Sequence, residues 1–219
     1  MAGSHYGKFG TLIINEPLLL PADWSIGAKR LHWAHPEKGV RVQTDQQTRA
    51  TVWPDQIFEV LKDTGVTQVA YVPDAGHSKL ILRCEAEKSM RTVSLTTEEE
   101  GVAMLAGTWL GGAKGVLLMQ SSGVGNCINM LSMFQECRLP LLMLVTMRGV
   151  WGEFNPWQVP MGGSTAAAME NAGVIVHSVD HAEEVKETVH ASARLAFQTY
   201  RPVAVLIQQR VIGFKNWSK

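Results

Sequence analysis

Charge is scarce in this 219-residue sequence. Asp, Glu, Lys and Arg make up 18% of it, twenty of each sign, for a formal net charge of zero. Without a basic surplus there is no electrostatic footprint for nucleic acid, and without an acidic run there is no solvating tail. Cysteine is rarer still. Cys84, Cys127 and Cys137 are an odd number without C-x-x-C spacing, a poor disulfide framework and a poor zinc site, so reduced and buried thiols are expected. Long apolar runs are missing as well: "TLIINEPLLLP" is broken by Asn15, Glu16 and Pro17, and a spanning helix needs ~20 apolar residues. The start, "MAGSHYGKFG", has no basic segment followed by an apolar one. These absences point to a soluble, cytoplasmic protein with neither a membrane nor a nucleic acid as partner.

What is present is a 46% hydrophobic content, enough for one well-packed domain. Residues 1–52 mix Pro, Gly and polar residues without a sustained period, and carry Trp24 and Trp33. They read as an N-terminal extension, and residues 53–219 as the domain. From Trp53 the pattern changes. "PDQIFEVLKDTG" spaces Ile57, Phe58 and Leu61 as a helix, with Pro54 at its start and Gly65 past its end. "QVAYVP", "RTVSL", "GVLLMQ", "LPLLMLVTM", "GVIVHSV" and "RPVAVLIQQ" are strand candidates, separated by helical stretches. Most are apolar on both sides, so both faces of the sheet should be covered. The fold class is α/β, a parallel sheet with helices on both faces and right-handed crossovers. Ligands of such sheets bind past the carboxyl ends of the strands.

Those ends carry the candidate chemistry. In "SLTTEEEGVAMLAG", Thr97 and Glu100 have the spacing of a capping box, and Asp180 with Glu183 repeat it later. Glu98, Glu99 and Glu100 leave a helix about 100° apart, so at most one faces a pocket, and local pattern does not say which. "LLMQSSGVGNCINML" reads as strand, small-residue turn and helix, a setting in which a ligand meets backbone N–H groups. It has neither the third glycine of a dinucleotide turn nor the Gly-Lys-Ser/Thr of a Walker loop. Asp74 and His77 follow a strand in "VPDAGH", where a lone Asp is more often a helix cap than a catalytic group. "RGVWGEFNPWQVPMGG" is a long loop with Trp151, Phe154 and Trp157, expected to be a lid or an interface segment. His177 and His181 straddle a strand–helix junction and read as structural. No metal cluster is evident.

Taken together, "TTEEEGVAMLAGTWLGGAKGVLLMQSSGVGN", "LPLLMLV", "RG", "QVPMGG" and "RPVAVLI" resemble the pyrimidine-binding domain of thiamine diphosphate-dependent 2-oxo acid decarboxylases. The likeness is strongest to the alpha subunit of sulfopyruvate decarboxylase and the matching half of phosphonopyruvate decarboxylase, and it covers about residues 53–210. The resemblance implies the thiamine diphosphate-binding fold. It also implies one activating glutamate, nine residues before Gly107, which is Glu98. That carboxyl group would hydrogen-bond N1′ of the aminopyrimidine and so promote removal of the thiazolium C2 proton. Ser122, Gly123 and Asn126 match the family's cofactor-side turn. Asp74, His77, Gln120, Arg148 and Gln158 fall where substrate-side residues are expected. The family's "GDG" motif for Mg²⁺ and diphosphate is absent from the sequence. The resemblance therefore implies a split enzyme, with a beta subunit carrying the diphosphate and Mg²⁺ domain, in an α2β2 assembly. The implied substrate is a small 2-oxo acid such as sulfopyruvate or phosphonopyruvate, although the added aromatics leave a bulkier apolar acid open. A non-catalytic binding or regulatory subunit of the same fold is the rival reading.

Overall fold

A computed structural model describes residues 52–213. The proposed N-terminal extension, with Trp24 and Trp33, therefore lies outside the described residues except for Val52. Helix α1 (Trp53–Asp63) begins as the sequence requires. Pro54 occupies its first turn, where a missing N–H is harmless, and Gly65 follows its end at φ +75°. Ile57, Phe58 and Leu61 form its buried face. Strand β1 (Val66–Tyr71), α2 (Ser78–Ala86), β2 (Arg91–Ser94), α3 (Glu98–Leu110) and β3 (Lys114–Gln120) follow. The chain continues through α4 (Ser121–Glu136), β4 (Leu141–Thr146), α5 (Gln158–Asn171), β5 (Ile175–Val179), α6 (Val185–Thr199), β6 (Pro202–Ile207) and the last helical turn, α7 (Gln209–Ile212).

All strand pairs are parallel, and the sheet order is β2-β1-β3-β4-β6-β5. The order reverses between β1 and β3, so the loops leaving those strands diverge and open a crevice at their carboxyl ends. β4 and β6 are buried along their whole length, as their unbroken apolar runs require. β2 and β5 are partly exposed, because they are the sheet's edges. One apolar layer joins α1, α2 and α6 to the sheet, and a second joins α3, α4 and α5 to the opposite face. Each buried Leu, Val or Phe in them contributes about 1.5–3 kcal/mol relative to exposure.

Several local expectations change. The "QSSG" turn is no turn: β3 ends at Gln120 and α4 starts at Ser121, so the small residues are the helix's first turn. The long aromatic loop ends earlier than its composition suggests, since α5 begins at Gln158 and runs through Gly162 and Gly163. Pro160 is tolerated there because it lies in the first turn. Neither capping box forms. Thr97 makes no side-chain cap bond, and Glu100 instead accepts from the Thr96 N–H at 2.9 Å. At the later site the chain passes through a 3₁₀ turn, Ala182–Glu184, before α6, and no side-chain cap bond is made. His177 is held by Ser192 at 2.8 Å, the structural role expected of it. Of the thiols, Cys84 and Cys127 are buried but Cys137 is exposed. Among the described residues no helix is long and apolar enough to cross a membrane.

Candidate active site

The three consecutive glutamates separate cleanly. Glu98, the first residue of α3, is 7% exposed, while Glu99 and Glu100 face solvent. The helical rotation of about 100° per residue produces that division. The Glu98 Oε2 accepts a hydrogen bond from the Asn126 Nδ2 at 2.8 Å. Asn126 lies in the second turn of α4, and α3 and α4 pack together on one face of the sheet. A β-carbon on Gly123 would collide with the Glu98 carboxylate, so only glycine lets the carboxyl group lie across that turn. Gly123 is needed here for close approach and not for its backbone angles, since it sits inside a regular helix. Beside it, Cys127 is pushed up to about 12, by burial first and by Glu98 and Glu99 after that, so it is an inert thiol.

A second cluster lies at the switch point. Asp74, on the loop after β1, has a side chain only 7% exposed. Its Oδ1 accepts from the Gln120 Nε2 at 3.0 Å, and its Oδ2 accepts from the Thr146 hydroxyl. The Gln120 Oε1 in turn accepts from the Ser122 hydroxyl at 2.9 Å. The ends of β1, β3 and β4 thus meet in one hydrogen-bonded chain. Asp74 is therefore a node between strand ends and not a cap: α2 starts after His77 without a side-chain cap bond. Gly76 lets the loop pass close, since a β-carbon there would lie 2.8 Å from the Thr146 Cγ2. His77, expected on the substrate side, is fully buried, with its Nδ1 3.7 Å from the Asp74 Oδ2. Burial pulls its pKa down to about 4 against the opposing pull of Asp74, so the imidazole is neutral near neutral pH.

Arg148 stands at the start of the loop after β4. Its guanidinium makes two bonds of 2.7 Å to Glu153, from Nε and Nη2. Glu153 also accepts from the Gly149 and Asn155 N–H groups and from the Gln209 Nε2, at 3.0–3.2 Å. The bonds from Arg148 first, and then those from the Asn155 and Gly149 N–H groups, hold the Glu153 carboxyl down at about 2. Arg148 is thus already neutralised within the chain, so its charge is not directed at a ligand. The Gln209 Oε1 accepts from the Val150 and Trp151 N–H groups, and Arg210 lies 3.9 Å over the Trp151 ring. Ser121 accepts from the Arg148 N–H at 3.0 Å and so ties the loop to α4. Gln158, the first residue of α5, has a buried Oε1 without a partner, and its backbone carbonyl lies where a β-carbon of Gly149 would be.

Sequence reasoning missed Thr146, Glu153, Gln209 and Ser121. A signal existed for two of them: Thr146 closes an otherwise apolar strand, and Gln209 follows another by two residues. Glu153 gave none, because a charged residue in a loop is ordinary. Among the described residues no three His, Cys, Asp or Glu side chains gather in a way that could hold a metal ion.

Residues 53–155 match the family model for the thiamine pyrophosphate enzyme, N-terminal TPP binding domain. The chain is 30% identical over 154 residues to the sulfopyruvate decarboxylase subunit alpha of Methanococcus maripaludis, covering 70% of this chain and 92% of that one. It is 32% identical over 156 residues to a phosphonopyruvate decarboxylase of Streptomyces viridochromogenes, covering 70% of this chain but 39% of the longer relative. Among solved structures, a 2-oxoglutarate:ferredoxin oxidoreductase from Magnetococcus marinus has the same fold, with a TM-score of 0.57 at 15% identity over 73% of this chain and 29% of that one.

Proposed function

This chain belongs to the thiamine pyrophosphate-dependent decarboxylases, beside the sulfopyruvate decarboxylase alpha subunits, and from that premise we propose that it is the pyrimidine-binding alpha subunit of a two-subunit 2-oxo acid decarboxylase. The observation that carries the reading is Glu98. It is a buried carboxylate at the carboxyl edge of the sheet, fixed by Asn126 and seated on a glycine. That arrangement suits a flat heterocycle that must share a proton with a carboxyl group. Thiamine diphosphate, when bound, supplies the electron sink for carbon–carbon cleavage.

The chain's own residues do the rest. Glu98 holds and shares the proton at N1′ of the aminopyrimidine, in an apolar setting that strengthens the contact. Asn126 orients the carboxylate through Oε2, and Gly123 keeps the space beneath it clear. Ser122, Gln120 and Asp74 line the substrate side as one hydrogen-bonded chain, and Gln158 offers a buried carbonyl oxygen without a partner. The diphosphate and Mg²⁺ fall to a beta subunit, in an α2β2 assembly, and residues 53–219 form the pyrimidine domain. The absence of disulfides among Cys84, Cys127 and Cys137 suits a cytoplasmic enzyme.

Sulfopyruvate or phosphonopyruvate is the first choice of substrate, after the relatives' names. A second reading has its own support. Arg148 is occupied by Glu153, and Trp151 and Phe154 are each 47% exposed beside it, which suits a neutral or apolar side chain. The test is to co-purify the chain with a subunit that carries the diphosphate domain, add cofactor and Mg²⁺, and measure carbon dioxide release from a panel of 2-oxo acids. Turnover of a sulfonate or phosphonate supports the first choice, and turnover of apolar acids alone supports the second. A complex inert to the whole panel defeats both and favours a regulatory subunit.

A further inference from the structure

His77 is the one buried ionisable side chain whose hydrogen-bonding atoms are both left without partners among the described residues: Nδ1 and Nε2 have none. An unpaired buried polar group carries its full desolvation penalty. Such costs cluster at functional and switch sites, where a second arrangement can relieve part of them. The surroundings supply one. The Asp74 Oδ2 lies 3.7 Å from Nδ1, so a shift of roughly 0.8 Å would make a hydrogen bond. That oxygen is now held by the Thr146 hydroxyl, and Thr146 has an alternative acceptor, the Met119 carbonyl at 3.3 Å. Thr146 can therefore release Asp74 without losing its own bond.

We propose that Asp74 is a two-position carboxylate, held by Thr146 in the described state and taken over by His77 when a 2-oxo acid enters, so that His77 is a positioning residue for substrate binding. The inference rests on the reading of Asp74 as a substrate-side group. A 2-oxo acid arrives as an anion, and a carboxylate already in the crevice repels it. Transfer of the Asp74 Oδ2 to a neutral imidazole behind it withdraws that charge from the entrant. Gln120 keeps its bond to Oδ1 through so small a movement. The neighbouring cation, Arg148, feels the charge of Asp74 but directs its hydrogen bonds to Glu153, so no hydrogen bond from it holds Asp74 in place. Burial keeps His77 neutral, so one ring nitrogen carries a proton, and the proposed bond to Asp74 selects the Nδ1–H tautomer.

The test uses the complex of this chain with its beta subunit, with ¹⁵N-histidine in this chain only. In the ligand-free complex, Thr146→Val removes the competing donor. The His77 Nδ1 resonance should then move downfield relative to the unsubstituted complex, and the shift should vanish when Asp74→Asn is added. Kinetics give the second readout: His77→Leu should raise KM for the 2-oxo acid about tenfold with kcat nearly unchanged, and His77→Asn, whose amide can replace Nδ1–H, should restore most of it. A Thr146→Val resonance identical to the unsubstituted one, or a His77→Leu enzyme with unaltered KM, overturns the proposal. If the complex decarboxylates but Thr146→Val shifts nothing, the proposal falls and the assigned function stands. If it decarboxylates no 2-oxo acid, the assigned function falls, and with it the role in substrate binding.

Discussion

At the scale of single residues, Glu98, Glu99 and Glu100 share a charge and a helical turn, and only Glu98 is buried against another helix. Its surroundings give two graded expectations. Gly123→Ala places a methyl group in the carboxylate, so it should remove most activity even where the complex still forms. Asn126→Ala leaves the carboxylate in place without its donor, so kcat should fall by roughly tenfold, the worth of one hydrogen bond to a charged group. Steady-state kinetics on the purified complex separate the two. Local pattern did not separate the three glutamates; the family resemblance, counted back from Gly107, singled out Glu98, and Glu98 is the one that is buried. The capping role given to Thr97 was not borne out, because Glu100 reaches the Thr96 N–H instead, a choice of backbone angles that residue type does not encode.

At the scale of elements, the loop between β4 and α5 is fastened by a salt bridge and by Gln209. Glu153 is nearly buried, and its carboxyl is held at about 2 against an ordinary value of 4.5. A depressed carboxyl pKa stabilises the fold fully above the ordinary value and loses that contribution as pH falls through the folded one. The bonds from Arg148 and from the Asn155 and Gly149 N–H groups should therefore together contribute on the order of 3 kcal/mol at neutral pH, fading between about pH 4.5 and pH 2. Denaturant unfolding of the native chain and of Glu153→Gln at stepped pH should show the gap between them closing over that interval. A gap independent of pH would mean that Glu153 acts through packing alone. In the core the expectation is larger: Phe134, fully buried on α4, should cost about 3–5 kcal/mol when cut to alanine. The strands and most helices could be read from period and punctuation. Helix α5 could not, because Pro160, Gly162 and Gly163 carry loop signals that tertiary packing of Gly162 and Thr165 overrides.

At the scale of the whole molecule, alternating apolar strands and helical stretches are enough to specify a parallel sheet covered on both faces. The switch between β1 and β3 then places Asp74 and Gln120 at one crevice. What sequence could not supply was the pairing across that crevice, since Thr146 is 72 residues from Asp74 and Asn126 is 28 from Glu98. On the proposed division of labour, with the diphosphate anchor on a beta subunit, thiamine diphosphate should bind this chain alone far more weakly than it binds the complex, as titration calorimetry can measure. The assignment of Glu98 is tested most directly by carbon dioxide release from three complexes, carrying Glu98→Gln, Glu99→Gln or Glu100→Gln, each checked for assembly by gel filtration. All three should assemble, with Glu98→Gln losing at least about a hundredfold in kcat and the other two staying near the unsubstituted rate. Full activity in Glu98→Gln, or an equal loss in all three, would contradict the assignment.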